Sequence, residues 1–98
     1  MEGKKVLERE LERWFSREAK RFGVVTVKMA LRFSTGIPDR IVILPLGRCA
    51  WVELKTLTGR LSPRQSEVIS MLRSLDHDVH VLRTKQSITE FFEQVTRG

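Results

Sequence analysis

The segment 36–55 constrains the fold of this chain more than any other. Two short apolar runs, at 41–44 and 50–54, flank Pro45-Leu46-Gly47, a pattern that predicts two strands joined by a turn. Because both faces of these strands are apolar, we expect a central hairpin that is covered on each side. The two apolar sets are Ile41, Ile43 and Trp51 on one face, and Val42, Leu44, Val52 and Leu54 on the other.

Three charged residues meet at the open end of this hairpin. A turn centred on Leu46 pairs residues whose numbers sum to about 92, which places Asp39 opposite Glu53. Opposed side chains share a face at roughly 4.5–5.5 Å between Cβ atoms, and Lys55 projects from the same face. Two carboxylates this close repel each other unless a cation lies between them. Oxygen ligands suit Mg²⁺ or Mn²⁺, so the pattern predicts a metal site.

The N-terminal part of the chain predicts a helix over 4–22, ended by Gly23. Its apolar stripe consists of Leu7, Leu11, Trp14, Phe15 and Phe22. Glu8 lies at the border of this stripe and Glu12 lies further toward solvent, whereas Glu18 falls inside it without an explanation.

Residues 24–33 alternate as a half-exposed strand, with Lys28 and Arg32 on its wet face. The face predicted to be dry carries Val25, Val27, Met29, Leu31 and Phe33. Further on, Ser62 and Gln65 form a capping box that opens a second helix, and a short strand follows at 79–82. A second capping box, Ser87 with Glu90, predicts a final helix.

The element order, helix, three strands, helix, strand, helix, predicts one α/β domain over 1–98 with a mixed sheet and helices on both faces. The net charge of +6 favours a polyanionic partner. The single cysteine, Cys49, excludes an internal disulfide and a cysteine zinc cluster, and we expect it in the core. No apolar run is long enough for a signal peptide or a membrane span, which predicts a soluble, cytoplasmic protein.

The acidic residues of the central segment need a reason. From Lys28 to Gln65, both included, the only acids are Asp39 and Glu53, against seven Lys or Arg. A basic surface that still holds two carboxylates is explained by metal coordination. Read singly, each is explained as well by a strand cap or by ordinary surface charge.

These residues resemble a known family. Gly36-Ile37-Pro38-Asp39, Glu53-Leu54-Lys55, the glutamine of Ser62-Pro63-Arg64-Gln65, and Glu8 in the first helix resemble the virus-type replication-repair nuclease (VRR-NUC) domain. This domain is a branch of the PD-(D/E)xK nuclease superfamily, and the resemblance covers nearly the whole chain. It implies a restriction-endonuclease-like fold, and it suggests a phage or bacterial origin.

The resemblance also implies roles for individual residues. Asp39 and Glu53 would bind the metal together with the backbone carbonyl of Leu54. Lys55 would orient or deprotonate the attacking water and offset charge on the phosphate.

Two further residues would complete this site. Gln65 would steady Lys55 or the water, although its role as a helix cap is an alternative. Glu8 would join the acidic pocket through metal-bound water, with Glu12 as the other candidate for that position.

The function implied is a Mg²⁺- or Mn²⁺-dependent DNA endonuclease that cuts branched DNA, such as four-way Holliday junctions in DNA repair, as a homodimer. A flap-type or unspecific nuclease is the close alternative, and a non-catalytic basic DNA-binding module is the alternative of another class. Phosphate contacts are predicted for Lys28, Arg32, Arg40, Arg60 and Arg64, each of which is otherwise a solvated surface charge.

Overall fold

The elements of the computed structural model, which describes residues 6–29 and 36–97, follow the predicted order. The helices are α1 (Glu8–Arg21), α2 (Pro63–Ser74) and α3 (Lys85–Val95). The strands are β1 (Val25–Lys28), β2 (Arg40–Ile43), β3 (Cys49–Leu54) and β4 (Asp78–Leu82). Within these ranges, no helix combines the length and the apolar character that a membrane span requires.

The four strands form one mixed sheet in the order β1-β2-β3-β4. The pairs β1–β2 and β2–β3 are antiparallel, whereas β4 runs parallel to β3. A parallel pair needs a crossover connection, and α2 provides it. Since α1 and α3 pack on one face of the sheet and α2 packs on the other, the predicted layered α/β fold is confirmed.

The hairpin of β2 and β3 has the predicted register. Ile41 lies opposite Trp51 and Arg40 lies opposite Val52, so paired numbers sum to 92 as expected. The turn at Pro45–Gly47 is tight because Leu46 and Gly47 both adopt left-handed backbone angles, with φ of 63° and 73°.

The main core lies between the sheet and the pair α1 and α3. Its fully buried side chains come from α1, α3 and the sheet: Leu11, Phe15, Val42, Val52, Ile88 and Phe92. The rings of Phe15 and Phe92 lie 5.0 Å apart and hold α1 against α3. A smaller cluster under α2 consists of Val68, Ile69, Leu72 and Val79.

The opposite face of the sheet is covered only in part, which corrects two expectations. Val25, Val27 and Ile43, predicted to be dry, are 65%, 45% and 47% exposed. Cys49, expected in the core, is exposed beside Ile43. The reason is that α2 packs over β4 and β3 and leaves the β1 side of this face open.

Three element ends differ from the predicted ones. β1 ends at Lys28, although Met29 continues the pairing by donating its N–H to the carbonyl of Asp39 at 2.7 Å. The remainder of the predicted strand, 30–33, lies outside the described residues. α1 begins at Glu8. α3 begins at Lys85, two residues before the predicted cap Ser87, because Thr84 caps the helix instead.

Glu18 is buried, and its environment explains a charge on the apolar stripe. Its carboxylate accepts hydrogen bonds from Arg21 Nε and Nη2 at 2.8 and 2.9 Å. It also accepts one from Thr89 Oγ1 of α3 at 2.7 Å, and Trp14 Nε1 donates to that hydroxyl in turn. A buried carboxylate is tolerated when it is paired and hydrogen-bonded in this way.

Candidate active site

Glu53 is the centre of the group of residues predicted to form a site. It lies near the end of β3, and Asp39 lies one residue before the start of β2. The backbone N–H of Asp39 donates to the Glu53 carboxylate. Both side chains are partly buried, so the hairpin holds two acids together at one end of the sheet.

The pKa of Glu53 reports the charges around it. Burial, followed by the negative charge of Asp39, raises this pKa to about 7. The Lys55 ammonium acts in the opposite direction and Glu8 adds to the increase. Asp39, Lys55 and Glu8 are therefore the charged groups that act on the Glu53 carboxyl group.

Gln65 connects α2 to Glu53. Its side-chain Nε2 donates to Glu53 Oε2 at 3.4 Å. Its Oε1 accepts the N–H of Ser62 at 2.8 Å, and its own N–H donates to Ser62 Oγ at 3.0 Å. The predicted capping box is confirmed, and the same side-chain amide also reaches the Glu53 carboxylate. The role of Gln65 toward Lys55 or the water stays a prediction.

The loop before Asp39 is fixed against α2 by a glycine. Gly36 has φ of +87°, and a Cβ atom at this position would lie 2.6 Å from the backbone carbonyl oxygen of Arg64. Only glycine fits this close approach. Pro38 is fully buried, so the approach to Asp39 is rigid on both counts.

The first helix supplies Glu8 to this end of the sheet. Glu8 is the first residue of α1, and its charge contributes to the raised pKa of Glu53. Glu12, the other candidate, pairs with Lys28 at 3.5 Å. Of the two acids, Glu8 is therefore the one whose charge acts on Glu53.

The donor set fits a hard divalent cation that keeps part of its water. Within 6–29 and 36–97, no three His, Cys, Asp or Glu side chains form a complete cage for a metal ion. Asp39, Glu53 and the Leu54 carbonyl offer three oxygens, and Mg²⁺ is commonly bound by one or two carboxylates plus water. Burial, followed by the negative charges of Asp39 and Glu8, raises the pKa of Glu53, and a bound cation would offset these effects.

The residues predicted to bind phosphate differ in their exposure and in their ion-pair partners. Arg60 is exposed at the end of the loop before α2. Arg64 is exposed and pairs with Glu67 at 3.3 Å. Lys28 pairs with Glu12, and Arg32 lies outside the described residues.

Arg40, predicted to contact phosphate, lies on the face of the sheet opposite the two carboxylates. Side chains alternate along β2, so Arg40 lies on the same face as Val42 and not on the face of Asp39. It therefore points to the α1 face of the sheet. There it is 7% exposed, with its guanidinium 5.1 Å from the ring centre of Phe15. The alternation of the strand was the signal that could have predicted this position.

A row of cations on α1 was also absent from the predicted set. Arg9, Arg13 and Arg17 follow one another at four-residue intervals, and Lys20 continues the row. Such spacing places side chains on one face of a helix. The sequence therefore contained the signal for this basic surface.

Comparisons with known proteins show similarity to a family of nuclease domains. The family model of the VRR-NUC domain matches residues 10–86. The "Putative nuclease p44" of Acyrthosiphon pisum secondary endosymbiont phage 1 is 31% identical over 77 residues, which cover 79% of this chain and 83% of that protein.

A solved structure described as "VRR_NUC domain" has the same fold, with a TM-score of 0.77 at 23% identity. The match covers 88% of this chain and 94% of the solved one. The chain therefore belongs to the VRR-NUC family of nuclease domains.

Proposed function

We propose that this protein is a Mg²⁺- or Mn²⁺-dependent DNA endonuclease that hydrolyses phosphodiester bonds in branched DNA. The observation that carries the proposal is the half-buried Glu53, whose pKa is raised to about 7 by burial and by Asp39. Carboxylates that share a site in this way are arranged for a cation. Action in the cytoplasm of a bacterial or phage-infected cell is part of the proposal.

The metal would be held by Asp39, Glu53 and the carbonyl of Leu54, with Glu8 acting through metal-bound water. When bound, a divalent ion lowers the pKa of water and stabilises charge on the phosphoryl oxygens. Lys55 lies close enough to act on the charge of Glu53, so its ammonium can bind a phosphate oxygen at the same place.

The remaining side chains hold this arrangement in position. The Gln65 amide is anchored by Ser62 and keeps the Glu53 carboxylate oriented. The N–H of Asp39 holds the same carboxylate from the strand beside it. Groups positioned by a rigid scaffold lose little entropy when the substrate binds, which favours a precise reaction geometry.

A homodimer that cuts four-way junctions is supported by the surface. The open part of the sheet exposes Val25, Val27 and Ile43 together, and contiguous apolar surface is typical of protein interfaces. Two-fold symmetry would present two sites to a substrate that is itself two-fold symmetric. We expect Val27→Glu with Ile43→Glu to convert the dimer to a monomer in sedimentation, and a wild-type monomer would refute the dimer.

The function is tested by cleavage of linear, flap and four-way DNA with each divalent metal and with a chelator. We expect the wild type to cut the four-way substrate best, with metal only. Asp39→Ala and Lys55→Ala should abolish cleavage while each variant still binds DNA. Binding without cleavage of any substrate would favour the non-catalytic module, and equal cleavage of all substrates would favour an unspecific nuclease.

A further inference from the structure

We propose that a groove beside α1 is a second DNA-binding subsite, which holds a backbone phosphate other than the one that is cleaved. This inference rests on the proposed function. The groove, called here the α1 groove, has a volume of about 630 Å³. Its lining consists of Arg9, Glu12, Arg13, Ser16, Arg17, Lys20 and Arg40.

The charges of the α1 groove favour an anion. Five of the seven lining residues are cations, and the one acid, Glu12, is already paired with Lys28 at 3.5 Å. Among the described residues, none of the five cations forms an ion pair with a carboxylate. A groove lined by one sign of charge concentrates counter-ions, and the phosphates of DNA are the abundant ones for a nuclease.

Arg40 makes this groove more than a solvated basic surface. It is 7% exposed, and within the described part of the chain its guanidinium contacts the ring of Phe15 at 5.1 Å but no carboxylate. Burying a charge without a counter-charge is unfavourable. A phosphate in the groove would supply the missing negative charge, and the planar guanidinium can bind it through two parallel hydrogen bonds.

The cations of α1 add a second reason. Arg9, Arg13 and Arg17 are spaced at i and i+4, and like charges at this spacing destabilise a helix. A bound phosphate lying along the row converts this repulsion into attraction. The row of like charges therefore lowers the stability of α1 in the free protein, and bound DNA raises it again.

The position of the groove gives it a role in the reaction. Arg9 follows Glu8 in α1, and Arg40 follows Asp39 at the start of β2. Because neighbouring residues of a strand point to opposite faces, the groove and the carboxylates share one end of the sheet but lie on opposite sides of it. A phosphate held in the groove fixes the register of the DNA, while a different linkage reaches Glu53.

The first test compares two double variants that each remove two exposed charges. Arg9→Ala with Arg13→Ala changes the groove, and Arg48→Ala with Arg97→Ala is the matched control. In metal-free buffer, fluorescence anisotropy with a four-way DNA should show about tenfold or more weaker binding for the groove variant only. Its slope of log Kd against log salt should fall by about 1–2, since each phosphate contact contributes about 0.9.

The outcomes separate this inference from the proposed function. If the wild type cleaves DNA and the two double variants bind equally well, the subsite is wrong and the nuclease proposal stands. If the wild type neither binds nor cleaves DNA, the proposed function fails and the subsite fails with it. Alanine favours helices, so we expect the groove variant to have an unchanged or higher Tm.

Arg40→Met tests the buried cation itself. Methionine fills a similar volume without a charge, so the free protein should keep or raise its Tm while DNA binding weakens several-fold. A purely structural Arg40 would give the reverse, a lower Tm with unchanged affinity, and would overturn the assignment.

A neutral methylphosphonate placed in turn at each linkage of the DNA locates the phosphate. We expect one position away from the cut to weaken the wild type and to leave the Arg9→Ala, Arg13→Ala variant unaffected. If no such position exists, the groove does not bind a phosphate.

Discussion

Two glutamates of this chain occupy opposite electrostatic environments. Glu18 accepts three hydrogen bonds, from Arg21 twice and from Thr89 once, and the bonds from Arg21 are the main reason that its pKa is lowered to about 2. Glu53 accepts a long hydrogen bond from Gln65, and burial with the charge of Asp39 raises its pKa to about 7.

The difference separates a structural charge from a charge that is held for a ligand. The interactions of Glu18 are complete within the fold, where it joins α1 to α3 through Thr89. Among the residues that the structure describes, Glu53 has no such complete set of partners. Burial and the negative charges of Asp39 and Glu8 all disfavour its ionised form. A fold has no stability reason to collect acids in this way, whereas an active site does.

The largest expected effect separates the two glutamates by activity. Glu53→Gln keeps the shape of the side chain and removes the charge, so we expect cleavage to fall by about 10³-fold or more. The Tm in the absence of metal should not decrease, because the repulsion from Asp39 is relieved. Turnover on the four-way DNA and a thermal melt measure both quantities, with Glu90→Gln, an exposed glutamate of α3, as the matched control. A Glu53→Gln protein that cleaves DNA at the wild-type rate would contradict the assignment of Glu53 to the active site.

The next effect is the reverse pattern at Glu18. Glu18→Gln loses the charged acceptor of Arg21 and Thr89, so we expect a loss of about 1–3 kcal/mol in the free energy of unfolding. Urea unfolding gives this quantity. Cleavage per folded molecule should remain near that of the wild type, and a loss of activity with unchanged stability would contradict the structural role.

The pH dependence of stability should show both carboxyl groups in separate ranges. The folded pKa of Glu53 lies above its usual value of 4.5, so its protonation stabilises the fold below that value, and this contribution is lost as the pH rises through about 7. We expect metal-free wild type to lose about 1–2 kcal/mol between pH 4.5 and 8, a reduced figure because the side chain is only partly buried.

The contribution of Glu18 to stability depends on pH in the opposite direction. Its folded pKa is lowered, so its contribution is present above 4.5 and is lost as the pH falls toward 2. Urea unfolding across pH 2–8 measures both ranges. Glu53→Gln should remove only the loss at high pH, and Glu18→Gln only the loss at low pH. A single variant that removes both would show that the two sites are coupled.

The smallest effect concerns Asp39→Asn. Removing this charge should lower the pKa of Glu53 toward its ordinary range, because Asp39 is the largest charge that opposes its ionisation. The metal-free Tm should be unchanged or slightly higher. NMR titration of the Glu53 carboxyl group measures the pKa, and a large fall in Tm would instead identify Asp39 as a structural cap.

The sequence was most informative where local rules act alone. The register of the hairpin followed from its turn at Pro45–Gly47, and the start of α2 followed from Ser62 and Gln65. Alternation in β1 correctly separated two faces but did not reveal which one is covered, because that depends on where α2 packs. Val25 was therefore assigned to the wrong environment.

Features that the sequence pattern did not predict include contacts between distant parts of the chain. The partner of Glu18 on α3 is 71 positions away, so no local pattern explains a glutamate on an apolar stripe. Arg40 is different, since the alternation of side chains along β2 predicts that it lies on the face of the sheet opposite to that of Asp39. The local signal is present there, and nearness in sequence to the acids does not place a side chain on their face of the sheet.

Calorimetric titration of Mn²⁺ into the metal-free protein tests the central claim most directly. We predict that the wild type binds Mn²⁺ at pH 8, that binding weakens as the pH falls through about 7, and that Glu53→Gln abolishes it while Glu18→Gln leaves it intact. Wild-type protein that binds no Mn²⁺, or a Glu53→Gln variant that binds as well as the wild type, would contradict the account.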